Sequence, residues 1–72
     1  MDKQQLKRAL LKANNDAILI NVSHVASVLG IQPETAQANF LRSLEYIPNG
    51  RSKMYLVEDV ANAIYESRKR NE

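Results

Sequence analysis

His24 is the only histidine of the chain and cysteine is absent, so few side chains could ligate a metal or act as a nucleophile. A lone histidine without thiolates or carboxylates at ligand spacing cannot assemble a metal site. Ser23 and His24 are adjacent, and adjacent residues on a helix point in different directions, so they cannot form a hydrolytic pair. These residues predict a protein that is not an enzyme and that uses no metal or cofactor.

The basic residues of the sequence fall in three clusters. These are residues 1–12, residues 42–55 and residues 68–70. The second cluster contains three basic residues, Arg42, Arg51 and Lys53, and one acidic residue, Glu45. Basic clusters that converge on one face favour a polyanionic partner, whereas interspersed charges on a solvated surface need no partner. With a net charge of only +2, composition alone leaves both interpretations open and favours the second.

The elements that must position these side chains fit one small domain, because 72 residues are too few for two cores. Helical spacing predicts an N-terminal helix within residues 1–14. Its apolar stripe consists of Leu6, Ala9, Leu10 and Ala13. The stripe must be covered by the rest of the chain or by a second copy. We expect the first, and a monomer in solution, because two alanines make the stripe too slight for a strong dimer.

Two helices joined by a short turn are predicted over residues 21–44. Asn21 caps a helix that begins at Val22 and stops at Gly30, and Pro33 opens the next helix. On that second helix the predicted core stripe is Ala36, Phe40 and Leu44. Before these two helices, Ile18-Leu19-Ile20 predicts a short strand, which needs a second strand to pair with.

A hairpin and a last helix complete the predicted order. Residues 45–56 place Asn49-Gly50 between two extended runs, Tyr46-Ile47 and Lys53 to Leu56, which indicates a hairpin with a loop over Pro48 to Ser52. Tyr46 and Tyr55 are expected to pack the hairpin. Residues 58–70 have helical spacing, with acidic residues in the first turn and Arg68, Lys69 and Arg70 in the last.

In this order the elements resemble the winged helix-turn-helix proteins that include phage and transposon excisionases and the DNA-binding domain of MerR-type regulators. The resemblance covers about residues 18–66. It rests on the run from Asn21 to Ile31, and on Gly50-Arg51 followed by Met54 to Val60. It implies a mostly α fold with a small β hairpin as the wing, to which residues 1–14 add a helix.

The resemblance also implies which residues contact DNA. With the helix from Pro33 in the major groove and the wing on the backbone, they are Gln32, Pro33, Thr35, Ala38, Asn39, Arg42, Arg51 and Lys53. Their types suit these places, since asparagine can pair with adenine and arginine with guanine or phosphate. Ala38 permits close approach, and a backbone amide near Pro33 can hold a phosphate.

The expected function is therefore sequence-preferring binding of double-stranded DNA. The protein is expected to be an excisionase-like recombination directionality factor, with an integrase or another recombination or transcription protein as partner, or a compact transcription regulator. Two alternatives stay open: a winged-helix adaptor that binds another protein, and the DNA-docking domain of a larger phage or plasmid protein. No apolar run approaches the roughly 18 residues of a membrane span. We expect a cytoplasmic location in a bacterial or phage-infected cell, and copies that bind DNA cooperatively.

Overall fold

Four helices and a three-stranded antiparallel sheet form the described part of the chain, residues 2–68, in the computed structural model. The elements, in chain order, are α1 (Lys3–Ala13), β1 (Leu19–Asn21), α2 (Val22–Leu29), α3 (Pro33–Ala36), a π-helical turn that continues α3 (Gln37–Leu41), β2 (Ile47–Asn49), β3 (Ser52–Leu56) and α4 (Val57–Glu66). None of the helices in residues 2–68 is both long and apolar enough to cross a membrane.

Helix α1 begins with a reciprocal cap and packs against α4. The Gln5 amide donates to Asp2 Oδ1 at 2.8 Å, and the Asp2 amide donates to Gln5 Oε1 at 2.9 Å. Leu10 is fully buried, and Leu6 and Leu11 pack around the core beside it. The predicted stripe was wrong at Ala9 and Ala13, which are exposed. Leucine removes more apolar surface from water than alanine, so the helix turns Leu11 inward instead.

Two side-chain contacts show how α1 and α4 run relative to each other. Lys3 Nζ lies 5.7 Å from the centre of the Tyr65 ring near the end of α4. Lys7 Nζ lies 3.5 Å from Glu58 Oε1 near the beginning of α4. The two helices therefore run in opposite directions, and the apolar stripe of α1 is covered by its own chain.

The turn between α1 and β1 is held by Asn14, a buried polar residue. Its Nδ2 donates to the carbonyl oxygens of Ala17 at 2.9 Å and Leu19 at 2.6 Å. Asn15 and Asp16 have φ of 55° and 62°, a conformation that asparagine and aspartate tolerate better than most residues. Asn14 thus ties the helix end to the first strand.

We expect Asn14→Ala to lower the free energy of unfolding by about 1–3 kcal/mol, because two backbone carbonyls lose their donor in a part-buried turn. Thermal denaturation followed by circular dichroism measures this loss. Gln4→Ala is the matched control, since Gln4 is an exposed amide on α1. The control is expected to stay within about 0.5 kcal/mol of the unmodified protein. Equal melting temperatures for the two variants would contradict the role of Asn14.

Strand β3 is the centre of the sheet, with the order β1-β3-β2. β1 is the predicted strand moved by one residue, and it pairs Ile20 with Tyr55. Both of these side chains are buried. The predicted hairpin loop was too long, because β2 and β3 pair as far as Asn49 and Ser52. Only Gly50 and Arg51 remain between them, and Gly50 has φ 65° at the first central position, as a tight hairpin turn requires.

Helix α2 has the predicted bounds. Asn21 Oδ1 accepts a hydrogen bond from the His24 amide at 2.8 Å and caps the first turn. Gly30 ends the helix in the left-handed conformation, with φ 72° and ψ 31°. The Ile31 amide then donates back to the Ala26 carbonyl at 3.0 Å, which closes the turn toward α3.

The second helix of the pair begins at Pro33 as predicted but does not continue as a regular α-helix. It is α-helical only to Ala36, and the π-helical turn follows. Leu41 is the buried residue of that turn, whereas Phe40 and Leu44 are half-buried. A π turn holds one more residue than an α turn, so side chains after Ala36 fall out of step with the predicted stripe.

Helix α4 begins without a side-chain cap. Leu56 occupies the cap position, and the Val57 amide instead donates to the Ile18 carbonyl at 2.8 Å, across the strand pair. The described helix ends at Glu66, so the prediction of a helix through Arg68 was wrong at residues 67 and 68. Residues 69 and 70, which the prediction also included, lie outside the described residues.

Candidate nucleic-acid interface

A shallow cleft lies between the beginning of α2, the π-helical turn and the hairpin. We call it the hairpin cleft, and its volume is about 370 Å³. Its lining consists of Asn21, Val22, Ser23, Gln37, Arg51, Ser52 and Lys53. Pairing of β1 with β3 brings the α2 end of the cleft against the hairpin, since Asn21 is opposite Met54.

Hydrogen-bond donors and positive charge dominate this cleft. Arg51 and Lys53 bring two cations, while Ser23 and Gln37 bring a hydroxyl and an amide. None of the described lining residues carries a carboxylate. The first turn of α2 also opens here, and the N-terminal end of a helix carries partial positive charge. This combination suits an anion with several oxygen acceptors, such as a phosphate group.

The hairpin holds Lys53 through an aromatic contact. Lys53 Nζ lies 4.9 Å from the centre of the Tyr46 ring. Tyr46 in turn packs against Tyr55, with ring centres 6.2 Å apart and planes tilted by 54°. Tyr55 is almost fully buried, which confirms its expected packing role, and Tyr46 is about half exposed. The exposed side chain of Lys53 therefore rests on a ring that itself packs against the buried Tyr55.

The predicted contact residues of the second helix are at its surface. The exposed ones are Gln32, Thr35, Ala38, Asn39 and Arg42, and Pro33 is half-buried. Asn39 lines a different groove, of about 430 Å³, between the π-helical turn and α4. Asp59 and Glu66 line that groove as well. The structure thus brings Arg51 and Lys53 together in the hairpin cleft, and it does not bring Asn39 into that cleft.

Four polar lining residues of the hairpin cleft were not among the predicted contacts, and one of them is Ser52 at the beginning of β3. Asn21 was predicted only as a helix cap, and its Oδ1 does cap α2. Ser23 lies in the first turn of the same helix, and Gln37 is half-buried in the π-helical turn. Local spacing carries no signal for Gln37, since its place in the cleft depends on the π turn and on the position of the hairpin.

His24 is half-buried on α2, where its backbone amide is used by the cap. Within residues 2–68, no three histidine, cysteine, aspartate or glutamate side chains group closely enough to hold a metal ion.

Comparison with known proteins returned no matching family model, no matching curated protein and no matching solved structure. The function is accordingly inferred from the side chains and their placement.

Proposed function

We propose that the protein binds double-stranded DNA as a winged helix-turn-helix module, with the hairpin as its wing. The observation that carries the proposal is the hairpin cleft, in which two cations and several hydrogen-bond donors meet and no described lining residue is a carboxylate. A phosphate of the DNA backbone is the ligand that this lining fits best.

The helix that starts at Pro33 is proposed to lie in the major groove. It presents the exposed Thr35 and Ala38, and the exposed Arg42 follows directly after its last residue, Leu41. Asn39 and Arg42 have the hydrogen-bonding groups that pair with adenine and guanine edges, and Gln32 lies at the beginning of the helix. Asp59 and Glu66 beside Asn39 repel phosphates, so Asn39 is proposed to contact a base edge and not the backbone.

The wing is proposed to fix the register of the protein on DNA. Arg51 lies in the two-residue turn and Lys53 follows on β3, so both cations extend from the short hairpin. Contacts of this kind set position and orientation and carry little sequence information. Base preference would then come from the helix, and about half of the salt dependence from the wing.

In the cell this module is proposed to act as an excisionase-like recombination directionality factor or as a compact transcription regulator. The proposed partners are duplex DNA and an integrase or another recombination or transcription protein. A DNA-docking domain of a larger phage or plasmid protein would use the same contacts. An integrase gene beside the coding sequence would favour the first of these roles.

The test is a titration of fluorescently labelled duplex DNA, followed by anisotropy at several salt concentrations. Three to five neutralised phosphates predict that log K falls against log salt with a slope of about −3 to −5. Double-stranded RNA of the same length is expected to bind more weakly, because the A-form major groove is too narrow for a helix. A salt response that is flat would contradict the proposal.

A further inference from the structure

One side of the sheet exposes an apolar surface that the core does not use. Met54 and Leu56 share the face of β3 opposite to the buried Tyr55. Ile47 pairs with Met54 across the hairpin and therefore lies on the same face. Ile47 and Leu56 are 49% and 40% exposed. We call this surface, with the neighbouring Ile18 and Tyr46, the sheet patch.

Two shallow depressions meet at Leu56 and make the sheet patch continuous. One, of about 280 Å³, is lined by Tyr46, Ile47 and Met54. The other has a similar volume and is lined by Leu11, Ile18 and Val57. Leu56 lines both. Contiguous exposed apolar surface with a polar rim is typical of an interaction site.

Carboxylates outnumber cations at the rim of the sheet patch, where Lys53 Nζ also lies 4.9 Å from the Tyr46 ring centre. Glu45 and Asp59 line the first depression, and Glu58 lines the second together with Lys7. Lys7 already pairs with Glu58 at 3.5 Å, so one of the three carboxylates is compensated. An incoming segment therefore meets leucine, isoleucine and methionine side chains with negative charge beside them.

We infer that the sheet patch docks a segment of another protein that presents apolar side chains flanked by lysine or arginine. The apolar side chains would fill the two depressions, and the basic side chains would face Glu45 and Asp59. This complementarity fixes which segments bind, because a segment with acidic flanks is repelled by the same rim.

A second copy of the chain does not match the sheet patch. A symmetric contact would set the acidic rims of two copies against each other. An asymmetric contact needs a second apolar surface, but the large hydrophobic residues exposed within residues 2–68 are Ile18, Tyr46, Ile47 and Leu56, all in this patch. A membrane of anionic lipids is disfavoured by the same carboxylates.

The sheet patch and the hairpin cleft share no lining residue. A protein segment on the patch would thus leave Arg51 free to contact DNA, whereas Lys53 also lies against Tyr46 of the patch. The inference does not require DNA binding, although Asp59 of the rim also lies beside Asn39 of the proposed DNA face.

The probe is a synthetic helical peptide of leucine and lysine, about 15 residues long so that a helix can form, with its leucines on one face. Its affinity for the protein is measured by isothermal titration calorimetry, and its position by amide chemical shifts in NMR. A peptide with glutamate in place of every lysine is the matched ligand control. We expect the lysine peptide to shift the amides around Leu56 and to bind at least about tenfold more tightly than the glutamate peptide.

Leu56→Ser tests the patch from the protein side. Leu56 stands at the cap position of α4 without a capping side chain, and serine is a preferred cap residue. The variant is thus expected to keep its fold while binding the lysine peptide at least about tenfold more weakly. Ile47→Thr, on the exposed β2, provides a second variant that suits a strand. Arg51→Gln is expected to bind the peptide like the unmodified protein.

Several results would overturn the inference. These are an absence of peptide binding, equal affinity for the lysine and glutamate peptides, or peptide binding unchanged in folded Leu56→Ser and Ile47→Thr. A dimer in sedimentation that either variant dissociates would make a second copy the occupant. Binding to anionic vesicles that either variant abolishes would assign the patch to a membrane.

Discussion

Replacing Arg51 and Lys53 together with glutamine is expected to reduce the affinity for duplex DNA by at least about 100-fold at moderate salt. Each charged contact to a phosphate contributes about 1.5–3 kcal/mol, and two such losses together correspond to two or more factors of ten. The same variant is expected to make the slope of log K against log salt less steep by about two. Fluorescence anisotropy across a salt series measures both quantities.

A matched control carries the same change of net charge on another surface. Arg8 and Lys12 are exposed on α1, and Arg8→Gln with Lys12→Gln also removes two positive charges. If the hairpin cleft is the phosphate site, this control loses far less affinity than the hairpin variant. Equal losses would mean that only the net charge matters, and the proposed docking face would be wrong.

Asn39→Ala is expected to behave differently from both charge variants. It should change the preference at one base pair by about 1–3 kcal/mol and leave the salt slope unchanged, because a base contact releases no counterion. The hairpin variant should instead weaken binding to all sequences alike. Circular dichroism spectra of all variants establish that the fold is intact, which matters for Lys53 since it contacts Tyr46.

The features that sequence reasoning predicted well are those fixed by a few neighbouring residues. The bounds of α2 follow from the Asn21 cap and from the left-handed conformation of Gly30, and both signals lie within one turn of the helix ends. The beginning of the next helix at Pro33 is equally local. The hairpin was also predicted, but the predicted loop was too long, since Asn49 and Ser52 pair with each other.

The features that were missed depend on contacts between distant parts of the chain. Regular α-helical spacing predicted Phe40 and Leu44 as core residues; both pack against the core but are only half-buried, and Leu41 is the fully buried residue of the π-helical turn. The hairpin cleft depends on the pairing of β1 with β3, which no local pattern specifies. Sequence reasoning therefore identified Arg51 and Lys53 as cations on a turn but could not place Ser23 and Gln37 beside them.

Helix α1 combines a feature that neighbouring residues fix with one that depends on distant contacts. Its helical spacing was predicted, and so were Leu6 and Leu10 as inward residues, but the inward position of Leu11 in place of the alanines was missed. Leu10 belongs to the buried core and has no exposed surface. The helix contributes its largest buried side chain to the core, so it is an integral part of the fold.

We expect Leu10→Ala to cost about 2–5 kcal/mol of unfolding free energy, because it removes buried methyl groups and leaves a cavity between α1 and α4. A domain of this size has a stability near the low end of the usual range, about 5 kcal/mol, so the loss is a large fraction of the total. The melting temperature should fall by at least about 10 °C. Removing residues 1–14 should be more severe, since it also removes Asn14 and its two hydrogen bonds.

Leu11→Ala is the matched control for this prediction. The substitution is identical and raises the helix propensity of α1 equally, but Leu11 is only half-buried, so its loss should be clearly smaller. Sedimentation equilibrium of both variants and of the unmodified protein completes the test, with a monomer expected throughout. If instead the unmodified protein is a dimer and Leu10→Ala yields a folded monomer of similar thermal stability, α1 would pack between copies in solution, and its contact with α4 would not be what stabilises the chain.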